Sequence, residues 1–348
     1  MTHIALRGLL SLMIGLAATA EASAATCFRG INISGAEFGV RGGTVNKDYT
    51  WPSTDTLSYF ADKGFNTIRL PFKWERLQPQ LMGELDEAEL QRLMESVELI
   101  RARGMRTILD PHNYGRYDEK IIGSKDVPIA AFADFWAKLA RYYANDDHVI
   151  FGLMNEPNRQ PIAQWLEAAN AATHAIREEA KANNLILVPG TAWSGAHSWM
   201  APIDGEPNGV AMAKFSDPAN HFIFEFHQYL DGDFSGTKPN CSRAGDAEQA
   251  LRNVTAWMKS NGFRGMLGEF GASTDKACVA GLKAMVDVME ENRDVWAGWT
   301  YWVAGDWWSE EEPLNIQPTT KGDRPQLQAL LPALRDLSAE GTACPALD

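Results

Sequence analysis

Two glutamates each follow a short apolar run in this sequence. The stretch VIFGLMNEPN, residues 149–158, predicts a buried strand that ends at Asn155 and Glu156. The stretch MLGEFG predicts a second strand, which ends at Glu269. A carboxylate next to an apolar run is costly to desolvate unless a partner or a reaction uses it. Two such carboxylates facing one cleft are what glycoside hydrolysis requires, one as proton donor and the other as nucleophile or base.

Polar and aromatic side chains also end other apolar runs. An isolated arginine or histidine usually has an ordinary structural role, but six runs with such endings, counting the run that ends at Glu269, favour a shared site. The residues concerned are Arg69 in IRLPF, His112 in LDPHNY, Asn155 before Glu156, His227 and Tyr229 in FEFHQY, and Trp302 in GWTYW.

Two other kinds of function compete with glycoside hydrolysis. Hydrolysis by a metal would need a cluster of histidine and aspartate ligands, for instance His-x-His on the first strand. The first run, INISGAEFG, contains no histidine, so we predict neither a metal nor a cofactor. A barrel that binds glycan without cleaving it is the second alternative, and the presence of both carboxylates argues against it.

Short apolar runs alternate with amphipathic segments along the chain. In DEAELQRLMESVELIRARG, apolar residues from Leu90 to Ile100 recur at helical spacing on one face. Eight run–helix units predict a (β/α)₈ barrel, a single domain over residues 25–348. A doubly wound sheet is the alternative, but no glycine-rich phosphate turn follows the first run. The predicted strands are Arg29–Ile33, Thr67–Pro71, Arg106–Asp110, Val149–Met154, Leu185–Val188, His221–Phe226, Gly265–Gly268 and Ala297–Trp302.

The sequence pattern predicts three features of this barrel less clearly: the fifth helix, the placement of several acidic residues and the role of four tryptophans. The fifth unit, between Val188 and His221, lacks a convincing helix. Glu225 is expected to point away from the barrel centre if His227 points inward. We interpret it as loop structure or an outer sugar contact, together with Glu37, Glu75, Asp110, Asp231, Asp233 and Asp306. The pattern leaves open whether four tryptophans are sugar platforms or loop packing: Trp193, Trp199, Trp307 and Trp308.

The N-terminus has the layout of a secretory signal peptide. Arg7 precedes a short apolar run, and small residues around Ala22 and Ala24 predict cleavage after Ala24. The four cysteines all lie in the part predicted to be exported, so two disulfides are expected. Three pairings are possible. We favour Cys27–Cys344, which would join the ends of the mature chain, and Cys241–Cys278, which would join two neighbouring loops.

Charge and aromatic content constrain the partner. The net charge is −13 and no stretch is rich in lysine or arginine, which argues against nucleic acid and anionic membranes. A neutral polysaccharide is indifferent to that charge. The twelve tryptophans suit such a partner, because flat aromatic faces pack against the apolar faces of sugar rings. Nothing in the chain argues for an oligomer, and we expect a monomer.

The ordered set of motifs resembles the secreted endo-β-1,4-glucanases of glycoside hydrolase family five, the cellulase family. The resemblance covers Phe28 to about Trp308. It is carried by GINISGAEFG, FNTIRLPFKWERLQP, DPHNYGRY, FGLMNEPN, VPGTAWSGAHSW, HQYLD, LGEFGAS and WVAGDWW.

The resemblance implies a retaining, endo-acting mechanism with roles for matching residues. Glu156 corresponds to the general acid/base and Glu269 to the nucleophile, while Arg69 and Tyr229 resemble the residues that orient the nucleophile. Asn155 resembles the contact to the sugar 2-hydroxyl. His112 and His227 would line the same subsite, and Trp302 would be its floor. Apart from the resemblance, we count Trp193 as a candidate substrate contact. The family also includes mannanases, xyloglucanases, lichenases and exo-glucosidases, so the preferred glycan stays open.

Overall fold

A computed structural model describes residues 27–203, 205–336 and 344–347. The predicted signal peptide, residues 1–24, lies outside these ranges. Within them, every helix is too short or too polar to cross a membrane.

Eight parallel strands form a closed barrel, which confirms the predicted fold. Each predicted strand agrees with the structure to within two residues at either end. Around the barrel the neighbours run β1-β8-β7-β6-β5-β4-β3-β2. The strands are β1 Phe28–Ile33, β2 Thr67–Phe72, β3 Arg106–Pro111, β4 Val149–Gly152, β5 Ile186–Pro189, β6 Phe222–His227, β7 Gly265–Glu269 and β8 Trp296–Ala304.

Helices follow the strands on the outside of the barrel. The fifth is a single turn, as the weak pattern after Val188 indicated, and further short turns and two small hairpins lie in the loops. The helices are α1 Thr54–Asp62, α2 Glu87–Arg101, α3 Ile129–Arg141, α4 Ile162–His174, α5 Asn208–Ala211, α6 Ala244–Asn261, α7 Lys276–Glu291 and α8 Leu327–Asp336.

Local side chains determine where these helices begin and end. The side chains of Ser53, Asp86 and Asp275 accept hydrogen bonds from backbone N–H groups in the first turns of α1, α2 and α7. Gly262 ends α6 with a φ of 69°, a left-handed conformation that glycine adopts without steric cost. These short-range contacts allow the helix boundaries to be predicted from sequence.

The barrel interior has an apolar layer and, above it, a charged layer. Ile108 on β3 and Ile223 on β6 belong to an apolar cluster at the N-terminal end of the strands. Two residues further along the same strands, Asp110 and Glu225 form ion pairs with Arg69 of β2. Residues i and i+2 of a strand face the same side, so each strand contributes to both layers. The apolar layer packs the barrel, and the charged layer forms the floor of a cleft.

Two disulfides are present, in the pairing favoured from the sequence. Cys27–Cys344 closes the N-terminal end of the barrel across 317 positions of sequence. Cys241–Cys278 joins the segment before α6 to the first turn of α7.

Candidate active site

Glu269 is the last residue of β7 and is held by two hydrogen bonds. Arg69 donates to its Oε1 at 2.9 Å, and the Tyr229 hydroxyl donates to its Oε2 at 2.9 Å. The Arg69 side chain is 0% exposed, so this charge-assisted bond lies out of water. Both carboxylate oxygens therefore have a donor fixed in place.

Glu156 lies beyond the end of β4 and has a different setting. Its backbone has a φ of 43°, a left-handed conformation that is uncommon outside glycine and is often found at functional sites. Its side chain is 13% exposed, and its Oε1 lies 2.8 Å from Nδ1 of His227. Burial raises the pKa of Glu156 above the ordinary 4.5, the contact with His227 opposes that rise, and the charge of Glu269 adds to it.

The two carboxyl groups face each other closely. One oxygen of Glu156, one oxygen of Glu269 and a ring nitrogen of His227 lie within 4.8 Å of one another. These side chains are of types that also bind metals. Both ring nitrogens of His227 already lie within hydrogen-bonding distance of carboxylate oxygens of the protein. The arrangement suits proton transfer and nucleophilic attack.

Arg69 is the centre of the charged layer. Its Nη1 lies 3.0 Å from Asp110 and its Nε lies 2.9 Å from Glu225, in addition to its bond to Glu269. The expectation that Glu225 points away from the barrel centre is wrong, because residues 225 and 227 share one face of β6. The interpretation of Asp110 and Glu225 as loop or outer-subsite residues is also wrong. Both side chains point into the barrel and pair with Arg69.

Gly268 leaves the space that Glu225 occupies. A Cβ atom at position 268 would lie 2.1 Å from Oε1 of Glu225, well inside van der Waals contact. The glycine in MLGEFG therefore allows a carboxylate from the neighbouring strand to fill the centre of the barrel.

His112 connects Asp110 to Asn155. Its Nδ1 lies 2.7 Å from Oδ2 of Asp110, and its Nε2 lies 3.1 Å from the amide nitrogen of Asn155. The Asn155 carbonyl in turn accepts from Arg69 at 2.8 Å. Burial lowers the pKa of His112 to about 4, so the ring is neutral near pH 7. A neutral ring with its proton on Nδ1 satisfies both contacts.

Aromatic residues line the cleft above these groups. Trp302 stacks on the His112 ring at 5.4 Å with 15° between the planes, and the edge of Trp308 packs against Trp302. Trp193, 48% exposed, borders a cavity of about 420 Å³ together with Glu156. Trp199 is fully buried against Phe226, so it belongs to the packing.

Every side chain predicted for the site lies at the C-terminal end of the barrel strands. They are Glu156, Glu269, Arg69, His112, Asn155, His227, Tyr229, Trp302 and Trp193. Of the other acidic residues, Asp306 accepts hydrogen bonds from Ser53 and Thr56 at the start of α1, as the loop interpretation predicts.

Sequence reasoning missed some residues of the cavity. Tyr114 lines the cavity together with Glu156, and its hydroxyl lies 3.3 Å from Nε2 of His112. His197 and Phe234, which also line this cavity, stack at 4.4 Å. Tyr114 follows the HisAsn pair directly and could have been found. The stacked pair comes from two distant loops, and no local pattern indicates their contact.

Comparisons with known proteins agree with this geometry. Residues 29–305 match the family model described as Cellulase (glycosyl hydrolase family 5). Endo-beta-1,4-glucanase A of Emericella nidulans is 36% identical over 318 residues, which cover 90% of this chain and 94% of that protein. Endoglucanase 3 of Humicola insolens is 37% identical over 285 residues, 81% of this chain and 71% of its own length.

Solved structures are also similar. The endo-beta-1,4-glucanase Xac0029 from Xanthomonas axonopodis pv. citri is 45% identical with a TM-score of 0.87, covering 90% of this chain and 100% of that one. XacCel5A, solved in complex with cellopentaose, is 47% identical with a TM-score of 0.86, covering 88% and 99%.

Proposed function

The chain belongs to glycosyl hydrolase family 5, the cellulase family, and we propose that it cleaves internal β-1,4-glucosidic bonds of cellulose or related β-glucans with retention of anomeric configuration. The observation that carries the mechanism is the short distance between Glu156 and Glu269, within 4.8 Å between oxygens. Retaining enzymes hold their carboxyl groups about 5–5.5 Å apart, whereas inverting enzymes leave about 6.5–9.5 Å for a water molecule.

The surroundings support opposite protonation states for the two glutamates. Arg69 and Tyr229 donate to Glu269, which favours its carboxylate. Burial and the neighbouring charge of Glu269 raise the pKa of Glu156, which favours its protonated form. Glu269 is then the nucleophile and Glu156 the proton donor.

The reaction proceeds in two displacements. Glu269 attacks the anomeric carbon while Glu156 gives its proton to the departing glycosidic oxygen, which leaves a glycosyl ester on Glu269 and a shortened glucan. Esterification removes the charge of Glu269, so the pKa of Glu156 falls and its carboxylate can accept a proton from water. That water attacks the anomeric carbon, and both glutamates return to their starting states.

The product configuration tests the mechanism. NMR of early products from a soluble cello-oligosaccharide should show the β-anomer before mutarotation. An α-anomer as the first product would contradict a retaining mechanism. Release of reducing sugar should disappear in Glu269→Gln, which keeps the shape of the side chain and removes the nucleophile. Activity retained by that variant would contradict the assignment of Glu269.

The preferred glycan is proposed by similarity to the relatives above, two of which are named endo-β-1,4-glucanases. The Trp302 ring and the exposed Trp193 suit neutral sugar rings, and they do not distinguish glucan from mannan. A panel of carboxymethylcellulose, mixed-linkage glucan, xyloglucan and mannan decides the matter. We expect the highest kcat/KM on a β-1,4-glucan, and a preference for mannan would contradict the proposal.

We also propose that residues 1–24 direct export and are removed. The two disulfides support an oxidising destination. N-terminal sequencing of the exported protein should begin at Ala25, and retention of residues 1–24 would contradict cleavage.

A further inference from the structure

His227 lies between two carboxylates, one on each side of the ring. Its Nδ1 is 2.8 Å from Oε1 of Glu156, and its Nε2 is 3.3 Å from Oε1 of Glu225. The ring is buried, and so is Glu225. Glu225 has no contact with the cavity, so the mechanism above assigns it no role.

The number of protons on the ring follows from these contacts. A neutral imidazole carries one N–H and one lone pair, whereas an imidazolium carries two N–H groups. When Glu225 is ionised, a lone pair on Nε2 would face a carboxylate oxygen without a proton between them, which is repulsive. An imidazolium donates to Glu225 and to Oε1 of Glu156 at once, because a protonated Glu156 that carries its proton on the other oxygen still accepts at Oε1.

His112 provides a contrast within the same site. It also follows a buried acidic residue by two positions: Asp110-x-His112 at the end of β3 has the same spacing as Glu225-x-His227 at the end of β6. Its second nitrogen faces the amide donor of Asn155, so a neutral ring satisfies both of its contacts. The same spacing therefore supports opposite charge states, and the group opposite the second nitrogen makes the difference.

We propose that Glu225 is a positioning residue that keeps His227 doubly protonated, so that its Nδ1–H is always donated to Glu156. The nearby cation Arg69, 2.9 Å from Glu225, favours the ionised carboxylate that this requires. Glu225 thus acts on the proposed proton donor through a histidine and touches no substrate.

The other charged groups around His227 fit this state. Glu269 lies 3.5 Å from Nδ1, and Asp110 pairs with Nη1 of Arg69 at 3.0 Å. Burial opposes a charged ring, but Glu269, Glu156 and Glu225 together raise the pKa of His227 to about 10. Burial also opposes the charge of Glu225, but Arg69 and His227 together outweigh burial, so the pKa of Glu225 is lowered.

The proposal has a consequence for turnover, which rests on Glu156 being the proton donor. As Glu156 gives up its proton it becomes a carboxylate, and a permanent N–H donor stabilises that carboxylate as it forms. The leaving group of a natural glucan needs this proton, whereas the acidic leaving group of an aryl glycoside departs with little help. Loss of Glu225 should therefore slow the hydrolysis of glucans more than the hydrolysis of aryl glycosides.

Nitrogen-15 NMR of histidine-labelled enzyme tests the charge state directly, with the His227 signal assigned by its absence in His227→Gln. In the wild-type enzyme both ring nitrogens should report N–H from pH 5 to 9. In Glu225→Gln, which keeps the size of the side chain, the proton affinity of His227 should fall at least tenfold. A neutral His227 at pH 7 in the wild-type enzyme would overturn the proposal even if the variant failed to fold.

Asp110→Asn is the matched control, because it changes an equally buried acidic partner of Arg69 that makes no hydrogen bond to His227. Its effect on the His227 titration should be smaller than that of Glu225→Gln, and equal effects would mean that contact with Glu225 is irrelevant.

Kinetics separate this proposal from the proposed function. Glu225→Gln should lose about tenfold in kcat/KM on cello-oligosaccharides and markedly less on an aryl β-cellobioside. Equal losses on the two substrates would overturn the positioning role. If Glu156 were not the proton donor, Glu156→Ala would lose the same factor on both substrates. The titration of His227 in the wild-type enzyme would not be affected by that result, so the two proposals can fail separately.

Discussion

Glu269 and Glu156 are the same residue type at the same end of one barrel, and the structure treats them differently. Glu269 is the last residue of a barrel strand and accepts hydrogen bonds on both oxygens, from Arg69 and Tyr229. Glu156 lies past the end of β4, with a φ of 43° and a histidine as its partner.

The difference shows how a fold assigns two roles to one side-chain type. Fixed donors and an arginine favour the ionised form of a carboxylate, while burial beside another carboxylate favours the protonated form. Two donors, Arg69 and Tyr229, orient the nucleophile at the end of its strand. The irregular backbone at Glu156 turns the proton donor toward the cleft from the opposite side. The following predictions break or sharpen this contrast, beginning with the largest effect.

Removal of Glu269 should have the largest effect. In Glu269→Ala no glycosyl ester can form, and we expect kcat to fall by a factor on the order of 10⁶, the scale seen when a covalent nucleophile is removed from a hydrolase. Activated leaving groups should not compensate, because the missing step is the attack itself. Initial rates on cellotetraose and on an aryl β-cellobioside measure this, and rescue of one substrate alone would contradict the role.

Removal of Glu156 should have a smaller effect that depends on the substrate. Glu156→Ala should lose about 10²–10⁴-fold on glucans, which need the proton, and much less in the first step on an aryl glycoside. The glycosyl ester should then accumulate, and azide should restore turnover by attacking it without a base. Comparable losses on both substrates without an azide effect would mean that the two roles are assigned wrongly.

Weakening the support of Glu269 should have an intermediate effect. Tyr229→Phe removes one donor from Oε2 and leaves the ring in place. A hydrogen bond to a charged group contributes about 1.5–3 kcal/mol, so kcat should fall roughly 10- to 100-fold on both substrates. A loss confined to glucans would place Tyr229 with the proton donor instead. The melting temperature of the variant checks that the barrel is intact.

A change of pH should alter kcat/KM less than these substitutions do, but it should distinguish the proton donor from the nucleophile most clearly. Glu156 acts in its protonated form, and burial raises its pKa above 4.5, so kcat/KM should decline as pH rises through that raised value. With an aryl cellobioside as substrate, Glu156→Ala should lose this alkaline decline. A decline that persists unchanged in the variant would assign it to another group.

Much of the fold could be predicted because its signals are local. Strand positions follow from apolar runs, and helix limits follow from caps such as Asp86 and the left-handed Gly262. Both cysteine pairs could be proposed once a barrel was assumed, since the barrel places the loops after β6 and β7 side by side. The same assumption brings Glu156 and Glu269 together from strands 113 positions apart (269 − 156).

The errors concern side chains whose neighbours come from other strands. Glu225 was expected outside the barrel centre, although strand parity with His227 places it inside. The stack of His197 on Phe234 joins two loops, and a burial pattern along one segment carries no information about it. Trp193 and Trp199 lie six positions apart in one loop, yet one is half exposed and the other is buried against Phe226.

The sequence by itself determined the alternation of strands and helices, the residue types at the strand ends and the family. These depend on periodicity and on order along the chain. Only the tertiary structure decided the charge states of the site: Arg69 meets carboxylates from β3, β6 and β7, and His112 and His227 differ in what faces their second nitrogen. Protonation depends on burial and on charges a few ångströms away, and neither distance nor burial can be read from spacing along the chain.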